Sequence, residues 1–126
     1  MIVAGFGFRS AAPLESLFGA FDKAMQAAPN AGPIGGVATA SDKAETDVFQ
    51  AFAKSLSANL QGVEANDLEA QNTLTYSRAS DAARGTGSVA EAAALAAAGA
   101  GARLLGPRVV SDDGMATCAL AEREMP

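Results

Sequence analysis

The chain has 126 residues, 49% of them apolar, a formal net charge of −5, one cysteine and no histidine. This length and apolar content fit one domain over residues 1–126 with a real core, and they argue against disorder. The acidity argues against nucleic acid or an anionic membrane as partner, and the lack of histidine excludes a zinc site and a Ser-His-Asp triad.

Residues 2–5, IVAG, read as a short strand ending in glycine. In PLESLFGAFDKAMQAAP, apolar residues at Leu14, Leu17, Phe18, Phe21 and Met25 have the spacing of one helix face. Pro13 suits the first turn and Pro29 ends the helix. PIGGVATA predicts a second strand. SDKAETDVFQAFAKSL predicts a second helix, with Ser41 as N-cap and Val48, Phe52 and Leu56 as its inner stripe. LQGVEAN predicts a third strand, and NDLEAQ one helical turn capped by Asn66.

Residues 71–87 are polar and weakly periodic, as in a lid or binding loop, with a short helix near Asp81 to Arg84. SVAEAAALAAAG predicts an alanine-rich helix ending at Gly99, whose small side chains let it lie close to a sheet. ARLL and RVVS read as strand pieces interrupted by Gly106-Pro107. MATCALAE is a last strand that pairs back as a hairpin across DDG. Cys118 within it makes no intramolecular disulfide and reads as a small buried hydrophobe in a reducing compartment. The N-terminus lacks the basic region of a signal peptide, and no apolar run approaches the ~20 residues of a membrane span. The expectation is a cytoplasmic protein. The element order predicts an α/β three-layer sandwich with a mostly parallel, mixed sheet and a C-terminal antiparallel hairpin.

Ligands of such sheets bind beyond the carboxyl ends of the strands. Three segments converge there: GFGFRS, TASDK and RGTGSVAE. The first has Gly5 and Gly7 of a dinucleotide fingerprint, but its sixth residue is Ser10, and the acidic residue expected ~20 positions on is misplaced. The lone GxG is weak evidence for a dinucleotide; a tight strand-to-helix turn, which glycine allows by accepting φ > 0, is the plainer explanation. Arg9, at a helix start, is mildly unfavourable unless an anion or a carboxylate partner sits beside it. Lys43 repeats the pattern among Asp42, Glu45 and Asp47, which could themselves explain it. Ser88 and Glu91 have the spacing of a capping box. The alternative makes Glu91 an acid or base in the cleft. Gly85 and Gly87 would let a ligand approach backbone amides.

GFGFR, ATASDKA and GSVAEAAAL, in this order, resemble the CobE proteins of cobalamin biosynthesis and the C-terminal domain of the CbiG proteins. The resemblance covers essentially the whole chain. It implies an α/β domain that binds or processes a carboxylate-rich precorrin. No cofactor and no metal are expected, and contact with other cobalamin-pathway enzymes is an open expectation. The larger CbiG relatives act as cobalt-precorrin-5A hydrolases; their additional N-terminal region is lacking here, so a hydrolase step is not implied by the C-terminal domain alone. The positions carried by the matching motifs are Gly5, Gly7, Arg9, Lys43, Gly85, Ser88 and Glu91, with Glu91 and Lys43 as catalytic candidates. Ser10, Thr39, Ser41, Arg84 and Gly87 complete the expected ligand-binding set, and Phe6, Phe8 or Tyr76 could meet the ring face. A small α/β binding module for a phosphorylated metabolite or nucleotide is the alternative that the same loops allow.

Overall fold

The computed structural model describes residues 1–124. In chain order its elements are β1 (Ile2–Phe8), α1 (Leu14–Ala27), β2 (Ile34–Ala40), α2 (Ser41–Ala44), α3 (Asp47–Leu56), β3 (Asn59–Val63), α4 (Ala65–Glu69), α5 (Arg78–Arg84), α6 (Val89–Ala98), β4 (Arg103–Leu104), β5 (Val109–Val110) and β6 (Ala116–Glu122). The strands form one sheet in the order β3-β2-β1-β6-β4, with β5 also paired to β6. The pairs β1–β2 and β2–β3 are parallel, whereas β6 is antiparallel to β1, β4 and β5. Every strand except β6 therefore runs the same way. The sheet is mixed and mostly parallel in direction, and the C-terminal hairpin is β5–β6.

Alternation along β1 divides the core into two layers. Ile2, Ala4 and Phe6 face α1 and α3, where they meet Leu17, Phe49 and Phe52. All six phenylalanines of the chain gather on that face. Phe6 and Phe52, with centroids 4.9 Å apart, meet edge to face, the arrangement the ring quadrupoles favour. On the opposite face Val3 meets the small side chains of α6, including Ala92, Ala93 and Ala94. Here Gly5 is decisive. A Cβ on it would lie 2.1 Å from Ala90 O and 2.4 Å from Ala94 N. Gly5 and Gly7 thus belong to β1 itself, not to the turn after it, and neither has a positive φ. At Gly5 the missing side chain admits the α6 backbone.

The expected second helix is two. Thr46 breaks it: its N–H and hydroxyl both donate to Lys43 O, at 3.1 and 2.7 Å, and its oxygen accepts from Phe49 N at 3.4 Å. Thr46, rather than Ser41, caps the longer helix α3, while Ser41 is the first residue of α2 and makes no cap bond. Similarly, Asn66 lies inside α4, whose N-cap position is Glu64. No helix among the described residues is long and apolar enough to cross a membrane.

Candidate functional site: a cationic cleft

The carboxyl ends of β1 and β2, the start of β6 and the N-terminus of α6 meet at one edge of the sandwich. Between them and α5 lies a cleft of about 540 Å³. β1 and the residue after it contribute Gly7, Phe8 and Arg9; Thr39 and Lys43 come from β2 and α2. α5 contributes Ala79, Ser80, Ala83 and Arg84, and the α6 end contributes Ser88 and Val89. Arg108, Met115 and Thr117 close the far side. Among the described residues, four cations line the cleft (Arg9, Lys43, Arg84 and Arg108) and no carboxylate does.

These cations are not equivalent. Arg84 forms a two-pronged pair with Asp42, at 2.8 and 2.9 Å. That hydrogen bond holds the Asp42 carboxyl below its usual range and raises the Arg84 guanidinium. Lys43 Nζ donates to Ser10 Oγ at 3.1 Å and stands 5.1 Å over the Phe8 ring. Partial burial, and secondly the nearby Arg84 charge, push the Lys43 ammonium below the ordinary lysine value. Lys43 makes no ion pair with Asp47 or with any other acid: among the described residues the ion pairs are Lys23–Asp112, Arg84–Asp42 and Arg103–Glu122. Arg9 and Arg108 are likewise without a carboxylate partner among the described residues.

Ser88 is the N-cap of α6, its oxygen accepting from Glu91 N at 3.3 Å. The return bond of a capping box, from Glu91 to the Ser88 amide, is replaced by a different arrangement. Glu91 is fully buried. Oε1 accepts from Leu74 N at 2.6 Å and Thr75 N at 2.9 Å; Oε2 accepts from Thr75 Oγ1 at 3.0 Å and Arg108 N at 2.8 Å. Its oxygens are taken up by the protein, and it does not line the cleft. The acid–base role considered for Glu91 therefore has no supporting geometry.

The remaining expected positions separate in the same way. Gly7, Arg9, Thr39, Lys43, Arg84 and Ser88 line the cleft. Ser10 borders it through Lys43. The Thr39 hydroxyl is buried and donates to Phe6 O at 2.8 Å. Ser41 turns to Glu64 at 3.5 Å, outside the lining. Gly85 takes φ 69° as the C-cap of α5, and a Cβ on Gly87 would strike Thr75 O at 2.8 Å. Gly5, Gly85 and Gly87 thus shape the walls without touching the cavity. Phe6 is core, Phe8 lines the cleft, and Tyr76 is exposed outside its lining. Arg108 was not among the expected residues; its only sequence signal is a cation directly after the Gly106-Pro107 break. Among the described residues no group of three His, Cys, Asp or Glu side chains comes together as a metal site.

Fold and site together define a small α/β domain with a cationic cleft at the carboxyl end of its sheet, suited to anionic ligands. The chain belongs to the family described as Cobalamin synthesis G C-terminus, whose model matches residues 2–121. It is similar, at 35% identity over 99% of this chain and 100% of the other, to a crystal structure described as cobalamin biosynthesis protein chiG from Agrobacterium tumefaciens str. C58, with a TM-score of 0.75. It is also similar to the crystal structure of CobE, described as a protein from the cobalamin (vitamin B12) biosynthetic pathway. That match has 26% identity and a TM-score of 0.87, and covers 100% of this chain and 92% of the other. A cobalamin biosynthesis protein G homolog from Sulfolobus solfataricus shares the fold, with 19% identity and a TM-score of 0.72; the match covers 98% of this chain and 37% of that longer one. A comparison with curated protein sequences gave no match. The chain is a protein of cobalamin biosynthesis.

Proposed function

We propose that the cleft binds a carboxylate-rich precorrin or corrin-ring intermediate. One observation carries this reading: in a protein of net charge −5, the described residues that line this cleft include four cations and no carboxylate. A corrin precursor is a flat macrocycle fringed with acetate and propionate groups. Arg9, Lys43 and Arg108, which have no acidic partner among the described residues, supply the charge-assisted donors such groups require. Ser88 and the first turn of α6 add a helix N-terminus of the matching sign. The cleft is open to solvent, so a macrocycle wider than the cavity can seat one carboxylate-bearing edge, with the Phe8 ring beside it.

Of the two catalytic candidates, Lys43 is the one in the cleft, where partial burial holds its ammonium below the ordinary lysine value. The test of binding is a titration with hydrogenobyrinic acid, a carboxylated corrin, alongside NAD and ATP. Saturable binding of the corrin is expected; binding of a nucleotide in its place would reassign the cleft to a phosphorylated ligand.

A further inference from the structure

Glu91 presents an unusual balance. Its carboxylate is fully buried; among the described residues no cation pairs with it, and the four hydrogen bonds its oxygens accept come from other parts of the chain. Such a group is costly to bury unless every lone-pair direction is met. Here the donors meet it, and its place in the first turn of α6 adds the positive end of the helix. The donors come from two separate segments. Leu74 and Thr75 belong to the polar loop before α5, and Arg108 begins the approach to β5. The Arg108 guanidinium returns to the same unit, donating from Nη1 to Gly87 O at 3.4 Å, while Ser77 N donates to Gly87 O at 2.7 Å. Loop, α6 N-terminus and Arg108 are thus tied through one carboxylate and one carbonyl.

We propose that Glu91 is a positioning residue of the cleft: its buried carboxylate locks the 74–75 loop and residue 108 against α6, and so fixes the Arg108 guanidinium for a carboxylate of the ligand. The claim rests on the corrin-binding reading for its ligand, but the locking itself is a property of the free protein. In this role Glu91 acts through Arg108 and not on the ligand itself.

The test is Glu91→Gln in the full chain. Glutamine keeps one acceptor oxygen and turns an NH₂ donor against amide donors. The amides of Leu74, Thr75 and Arg108 should then exchange with solvent at least about tenfold faster, while those of Val3 and Phe6 in β1 stay protected. Hydrogenobyrinic acid should bind about tenfold more weakly, and Arg108→Ala should cost tenfold to about a hundredfold. The double variant should bind within about threefold of Arg108→Ala, because the two residues act as one unit. Fully additive losses, or unchanged exchange at those three amides, would overturn the proposal. If Glu91→Gln does not fold, Thr75→Val removes only the hydroxyl donor. It should speed exchange at Leu74 and Thr75, and unchanged exchange there is equally fatal. If the wild-type protein binds no corrin, the ligand reading fails alone, and the locking is decided by exchange in the free protein.

Discussion

Replacing Gly5 by alanine tests how the sandwich brings α6 to the cleft. The added Cβ would fall 2.1 Å from Ala90 O, 2.4 Å from Ala94 N and 2.8 Å from Ala94 Cβ, all inside the 3.0 Å that real Cβ contacts do not cross. Two of these atoms are helix backbone, so no side chain can rotate away. The helix or β1 must shift as a body, with Ser88 and Glu91 riding on it. Overpacking of a dense core costs ~1–3 kcal/mol and sometimes more, and this geometry belongs at the upper end. The entropic gain of Gly→Ala in the unfolded chain, ~0.4–1 kcal/mol, offsets little of it. At roughly 4 °C per kcal/mol for a domain of this size, Tm should fall by about 10 °C. Thermal unfolding followed by circular dichroism measures this. Gly7→Ala is the control: its nearest atoms are Thr117 Oγ1 at 3.0 Å and Val89 Cβ at 3.4 Å, which can give way, so its Tm should fall much less. A Gly5→Ala protein that melts with the wild type would refute the close-approach argument.

Arg9→Ala and Lys43→Ala should each weaken hydrogenobyrinic acid binding by about tenfold to a hundredfold with Tm unchanged, since a charge-assisted hydrogen bond contributes ~1.5–3 kcal/mol; isothermal titration checks both. The Asp113 carboxyl is held down to about 2, first by Ser111, then by Ser16 and by the Met115 amide. Its folded value lies below the unfolded one, so its contribution is present above pH 3.8 and is lost as pH falls towards about 2. Urea midpoints across that window should therefore fall more for the wild type than for Asp113→Asn. Cys118 is fully buried, and desolvation pushes its thiol well above the ordinary value. A thiol reagent should thus label the native protein only as fast as the protein opens, and rapid labelling at neutral pH would contradict that burial.

Elements with a clean period were legible in the sequence. The stripe Leu14, Leu17, Phe18, Phe21, Met25 gave α1, and the alanine run with its Ser88 cap and Gly99 stop gave α6. The break between α2 and α3 was hidden because the apolar stripe Val48, Phe52, Leu56 continues a plausible helix back to Ser41, whereas a side-chain contest at Thr46 decides it. The same kind of ambiguity affected Gly5 and Gly7. Read as punctuation they suggest a turn; read with Phe6 and Phe8 they are a strand alternating small and large, with the small face turned to α6. In the cleft, Arg9 and Lys43 were visible as cations, but only Lys43 lies at a helix, α2; Arg9 directly follows β1, five residues before α1, and its amide donates to Met115 O. The Arg84–Asp42 pair joins residues 42 positions apart, and the donors to Glu91 lie 16 to 17 positions away, in a loop and before a broken strand. No local pattern encodes such contacts. Ser88-x-x-Glu91 therefore signalled a cap, and the use of the carboxylate emerged only with the fold.

Whether the cationic cleft recognises a carboxylated corrin, as proposed, is decided by a visible-absorption titration with hydrogenobyrinic acid at rising salt. Saturable binding is expected that weakens with ionic strength, because part of the attraction is screened, with a flatter salt dependence when Arg9, Lys43 or Arg108 is removed. No saturable binding of the corrin at low salt, or binding indifferent both to salt and to the loss of these cations, would contradict it.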